Sequence, residues 1–231
     1  MHTVVRLILV LSLVTAGCGG GGNEGPTAAE LVARAAEAFE RTESFQLVYD
    51  LENAPAGGSG LRLTHAEGDV AVANGRQEGI ELDVAGTFSG IPLETQLVIV
   101  AGDGLLRDPL TGAWRGLDAT QVPGAFRDLL EGVPAVLRAL REVERAGEDR
   151  IGGVETYRLS GKITARRLAG FLGNTPSERL VPAELWVGQH DSLIRRIRVA
   201  GPVEADEPDD VARVVELSAF GKDVQIERPA P

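Results

Sequence analysis

The sequence predicts an α+β fold in which an antiparallel sheet is covered by helices. Three observations carry this. Most of the chain alternates apolar and polar residues with period two, in short runs. The runs are joined by brief turns rich in Gly, Pro, Asn and Asp, too short for the crossover helix that parallel strands need. Helical periodicity is confined to residues 27–42, 122–145 and 165–172. No linker-like composition interrupts residues 27–225, which are expected to form one domain, with 226–231 as a loose tail.

The first helix begins at Pro26-Thr27, where Thr27 can cap and Glu30 sits at the capping-box position. Leu31, Ala35 and Phe39 then mark its apolar face. The period changes to two at Phe45, Leu47, Tyr49 and Leu51. Pro55 and the glycines of 53–60 predict a turn, and Leu61–His65 resumes the alternation, with Asp69–Ala73 as its continuation. Asn74-Gly75 predicts a hairpin. Ile80, Leu82, Val84 and Phe88 form the next alternating face, and Pro92–Val100 another strand. Asp103-Gly104 is expected to turn into Leu105-Leu106, and Leu110–Trp114 to turn again. Residues 122–131 and 134–145 read as helix, broken by Pro123, Gly132 and Pro134. Strands return over 146–164 around Gly152-Gly153, and a short helix follows over 165–172. A hairpin at 182–199 turns through His190-Asp191-Ser192, and a last strand covers 211–220.

The amino terminus is an address. Arg6 precedes the apolar run Leu7–Val14, too short to span a bilayer, which takes about 20 apolar residues. Small residues Thr15-Ala16-Gly17 lead directly to Cys18, the sole cysteine, and the pattern resembles a bacterial lipobox. Residues 1–17 are thus expected to be a lipoprotein signal peptide and Cys18 the point of lipid attachment. Residues 18–26 would be a flexible Gly-rich tether. Two or more acyl chains anchor a protein stably, so the expected place is the extracytoplasmic face of the cell membrane.

Composition excludes more than it assigns. Lys+Arg number 23 against 34 Asp+Glu, a net charge of −11, which argues against nucleic acid as a partner. One cysteine forms neither an internal disulfide nor a multi-cysteine metal site. No zinc-protease, nucleophile-elbow or phosphate-loop motif occurs, and nothing calls for a cofactor. His190, Asp191 and Ser192 are triad residue types but are neighbours in a turn, out of reach of triad geometry. The acidic run 204–210 lacks the spacing of a calcium loop and reads as a solvated tip. Arg195, Arg196 and Arg198 read as a solvated outer face rather than a headgroup site. The protein is therefore expected not to be an enzyme.

The Cys18 lipobox, the helix at 27–42 and the strand from Phe45 resemble the LppX/LprA/LprF/LprG lipoprotein family, within the LolA/LolB-like lipid-carrier folds. So do Leu110–Trp114, Gly152–Gly161, Pro182–Val187 and Leu193–Val199. The resemblance implies a strongly curved antiparallel half-barrel with helices packed on its concave face. It also implies a hydrophobic cavity for acylated lipids or glycolipids, carried across the cell envelope, in some members with a membrane efflux transporter. Strand alternation and the middle helix nominate Leu82, Val84, Phe88, Leu97, Ile99, Phe126, Leu130 and Leu137 as cavity wall. The alternative is an envelope sensor or protein-interaction module with the same fold, a filled interior and no transport role; cavity volume separates the two.

Overall fold

A computed structural model describes residues 25–53, 61–73, 76–117, 126, 129–172, 178–203 and 207–230, with backbone alone at Leu61, Phe88, 129–131 and 169–172. The signal segment, Cys18, most of the tether and the Asn74-Gly75 turn lie outside these residues.

Helix α1 (Ala28–Glu40) starts at a complete capping box: the Glu30 amide donates to the Thr27 hydroxyl, and the Glu30 carboxylate accepts the Thr27 amide at 2.8 Å. It buries Leu31, Val32, Ala35, Ala36, Ala38 and Phe39. Six antiparallel strands follow: β1 (Ser44–Glu52), β2 (Leu61–Ala73), β3 (Arg76–Phe88), β4 (Ile91–Val100), β5 (Asp103–Arg107) and β6 (Trp114–Leu117). Helix α2 (Leu129–Ala139) separates them from β7 (Arg141–Ile151) and β8 (Val154–Thr164). Helix α3 (Ala165–Leu172) leads to β9 (Leu180–Gly188), β10 (Ile194–Ala200) and β11 (Ala212–Ser218).

Several boundaries differ from the sequence reading. The turn before β5 falls at Ala101-Gly102, both in left-handed backbone (φ 52° and 86°), and Asp103 already pairs with Val100. Gly132 and Pro134 lie within α2 rather than breaking it, and helix gives way to strand at Arg141, not Arg145. The two runs 61–65 and 69–73 are one strand, whose pairing with β3 shifts at irregularities beside His65 and Val72.

All eleven strands form one sheet in the order β6-β5-β4-β3-β2-β1-β11-β10-β9-β8-β7. Two meanders, β1–β6 and β7–β11, are joined in the middle by β1 pairing with β11. The expected half-barrel is overturned: the sheet is open, neither closed nor strongly curled, with β6 and β7 at opposite edges. Period-two alternation tells which residues share a face, not how far successive strands bend. The edges also do not favour closure. β6 has four residues, and β7 carries exposed charges over most of its length, so neither offers an apolar face to wrap around an interior.

The helices pack on each other and on one face of this open sheet, α1 against β7 and β9, α2 against β3 and β8, α3 against β8. Residues directly opposite in a ladder share a face. This helix-side face therefore carries Phe45, Val70, Ile80 and Ile99 in one row and Leu47, Leu82, Leu97 and Leu106 in the next. Gly68 sits in the second row, where a Cβ would lie 1.9 Å from the Glu81 carbonyl oxygen. The outer face carries ion pairs beside buried Val98 and Leu105: Arg196 with Glu216 at 2.6 Å, Arg198 with Glu52 at 3.2 Å, and the Trp186 indole donating to Asp149 at 3.2 Å.

Beyond β11 the chain runs across the outer face along the ladder row Ser44, Ala71, Gly79, Val100 and Asp103. The Ser44 hydroxyl donates to the Lys222 carbonyl at 2.5 Å, Ile226 packs over Gly79, and Arg228 reaches Asp103 at 2.8 Å.

Candidate functional site

The space between the helices and the helix-side face is the candidate site. Its lower end is the one where β1 begins at Ser44 and β4 ends at Val100; its upper end carries the Ser89-Gly90 turn between β3 and β4. The lower end is closely packed, although Val72 and Phe220 there are only half-buried. Phe39, Phe45, Val70, Ile80 and Leu217 are buried there, with the Phe39 and Phe45 rings 5.4 Å apart. Gln77 holds the chain that precedes α2, its side-chain amide donating to the Phe126 carbonyl at 2.9 Å. The upper end is less closely packed. On the same face Leu51, Leu63 and Val84 are only half-buried, although they pack against the core. Val215 and Ile197, in the middle of the sheet, are likewise half-buried.

The structure brings most of the nominated wall residues together. Leu82, Leu97, Ile99, Phe126 and Leu137 are buried in one apolar cluster, and Val84 packs at its more open margin. The side chains of Phe88 and Leu130 lie outside the described residues, as does Cys18. Val215 and Ile197 were not nominated, although both stand in phase with apolar neighbours of β11 and β10.

A buried ion pair stands on this face. Arg213 is opposite Leu51 on one side and Val199 on the other, and two residues before Val215. Its side chain is 4% exposed and is paired with Glu207, itself 1% exposed. Glu207 also accepts the Val203 amide at 2.8 Å, which ties Val203 to the ion pair. The acidic run was read as a solvated tip; Glu207 is instead buried, because Arg213 draws it inward. Period-two counting along Val211–Leu217 would have placed Arg213 in phase with Val215 and Leu217.

The remaining candidates take other roles. Asp191 accepts the Leu193 amide at 2.9 Å and pairs with Arg195, so it shapes a turn. A shallow groove of about 530 Å³ lies where β2–β5 present His65, Asp83, Glu94, Gln96 and Arg107. His65 and Asp50 are 2.8 Å apart beside it, a polar setting unsuited to acyl chains. Asp108 in its rim caps the turn that follows β5, accepting the Leu110 and Thr111 amides. Those hydrogen bonds, with Arg115 at 2.7 Å, hold its carboxyl below the ordinary carboxylate value. Among the described residues no group of His, Cys, Asp and Glu could hold a metal, and no helix is long and apolar enough to cross a membrane.

Comparison with known proteins agrees with this architecture. The lipoarabinomannan carrier protein LprG of Mycobacterium tuberculosis and of Mycobacterium bovis is 24% identical over 237 residues, covering 98% of this chain and 94% of that protein. The crystal structure of LprF from Mycobacterium bovis superposes with a TM-score of 0.69 at 18% identity, over 90% of this chain and all of that one. That of the Mycobacterium tuberculosis lipoprotein LppX gives 0.61 at 15% identity, over 87% and 98%. At these identities the two structures show a shared fold. The LppX_LprAFG lipoprotein model matches residues 27–226, the whole span from the capping box of α1 to the strap over Gly79. The chain belongs to the LppX_LprAFG lipoprotein family, whose members are lipid-anchored and extracytoplasmic.

Proposed function

We propose that the protein binds acylated lipids or glycolipids between its helices and the helix-side face of its sheet, and carries them across the cell envelope. The family is non-enzymatic, so the site is read for binding alone. The observation that carries the reading is the apolar face under the helices: Phe45, Val70, Ile80, Leu82 and Leu97 are buried, while Leu51, Leu63, Val84, Val215 and Ile197 on the same face are only half-buried. An aliphatic wall of this kind accepts acyl chains. Each methylene transferred from water contributes about 0.8 kcal/mol, and such a wall makes few directional demands on chain type. The carrier function in the name of the LprG relatives supports the same reading.

Leu82, Leu97, Ile99, Phe126 and Leu137 form the wall, with Val84 toward the opening and Phe88 and Leu130 as further wall positions. Cys18 carries the anchor. A membrane efflux transporter is a proposed partner, to be sought by cross-linking in intact membranes.

Native mass spectrometry of the chain that begins after the signal segment, with Cys18→Ser, tests the proposal. The expected result is an extractable lipid bound to a large share of molecules. An apo mass together with no uptake of a fluorescent acyl probe overturns it. Val215→Trp, which fills the half-open centre of the face, is expected to cut lipid occupancy several-fold while the far-ultraviolet circular dichroism is kept.

A further inference from the structure

Arg213 points to where the ligand's polar end sits. A buried guanidinium normally finds acceptors for its donors, because leaving them unpaired in a dry interior is costly. Here Nη2 pairs with Glu207, while Nε and Nη1 are buried and have no hydrogen-bond partner among the described residues. The side chain stands on the helix-side face at its upper end, between Leu51 and Val199 and next in phase to Val215. It is thus a buried charged group flanked on the apolar face by the half-buried Leu51 and Val215.

We propose that Nε and Nη1 of Arg213 donate to ester carbonyl oxygens of the bound lipid, at the point where its acyl chains join the glycerol or sugar. This rests on the reading of the layer as an acyl-chain site, and it adds the ligand class and orientation: tails toward Phe45 and Ile80, ester linkages at Arg213. Charge decides between acceptors. The pair with Glu207 already neutralises the guanidinium, so a buried carboxylate or phosphate there would leave one negative charge uncompensated. An uncharged carbonyl uses the spare donors without that penalty.

The test compares three probes on the Cys18→Ser chain: dipalmitoylglycerol, its ether analogue dihexadecylglycerol, and palmitate. The wild type is expected to prefer the ester over the ether by about tenfold, the worth of one hydrogen bond to a charged donor. Bound ester should also show a carbonyl stretch moved to lower frequency. Arg213→Met alone would strand Glu207, so the variant is Arg213→Met with Glu207→Met, which removes both charges together. It is expected to bind the ether as before, and to lose both the ester preference and the infrared shift. An ester preference that survives in the double variant, equal binding of ester and ether by the wild type, or a preference for palmitate overturns the proposal. If the wild type binds none of the three, the acyl-chain reading itself falls, and the role of Arg213 with it.

Discussion

Gly68 is the residue with least freedom in the sheet. A methyl group there would meet the Glu81 carbonyl oxygen of the neighbouring strand at 1.9 Å, and the close atoms are all β3 backbone, with no flexible side chain to give way. Gly68→Ala should therefore destabilise by about 1–3 kcal/mol or more, as overpacking does, seen as a lower urea midpoint. Asp149 makes a contrasting case, because its effect depends on pH. The Trp186 indole N–H, the Arg150 amide and nearby Arg158 and Arg196 hold its carboxyl below the ordinary value of 3.8. A carboxylate depressed in the folded state stabilises above its unfolded value, and that contribution is lost as pH falls through the folded one. Stability should therefore decline below the ordinary carboxylate range. Asp149→Asn should flatten that acid limb while changing little near neutrality, as followed by denaturant melts across the acid range. The sequence could not show either effect. Gly68 in a strand reads only as a weak point, and the Asp149 partner lies 37 positions away, two strands over.

Among the elements, α1 was legible to within two residues, because Thr27 and Glu30 form a local signal that needs no tertiary help. Thr27→Ala should cost about 1 kcal/mol, through loss of the cap, and fray the first turn in amide exchange. Helix α3 matched its expected bounds, and the Gly152-Gly153 hairpin fell where expected. The stretch 141–145 was misread because Leu137, Leu140 and Val143 continue a helical spacing, while β-pairing of Arg141 with Lys162 overrides it. Curvature was not legible at all, since it depends on how eleven strands sit together. The segment after β11 follows from no periodicity either, yet it crosses five strands. Truncation after Lys222 should uncover the Gly79 row and raise amide exchange at the lower ends of β2–β4, with the helix-side core unaffected.

At the scale of the whole molecule, the buried apolar face was legible, but which of its residues stay half-buried was not. Leu82 and Leu97 are opposite each other and buried, as alternation requires. Whether Val84 or Val215 stands open depends on where the helices stop, which no single strand encodes. The linear strand order has a further consequence, for biogenesis. The first strand made, β1, and the last, β11, meet at the centre of the sheet, over the ladder from Gln46–Ser218 to Glu52–Ala212. A chain threaded through an export channel from its amino terminus delivers β1 early and β11 last. Until then it holds two half-sheets, each with a long edge of unpaired amides and carbonyls. The seam between them therefore closes only after translocation is complete. Such long-range closure predicts slow refolding, in the millisecond-to-second range typical of non-local β-structure. Release of the chain from the exporting machinery, rather than its entry, is then the moment at which a carrier able to accept cargo first exists.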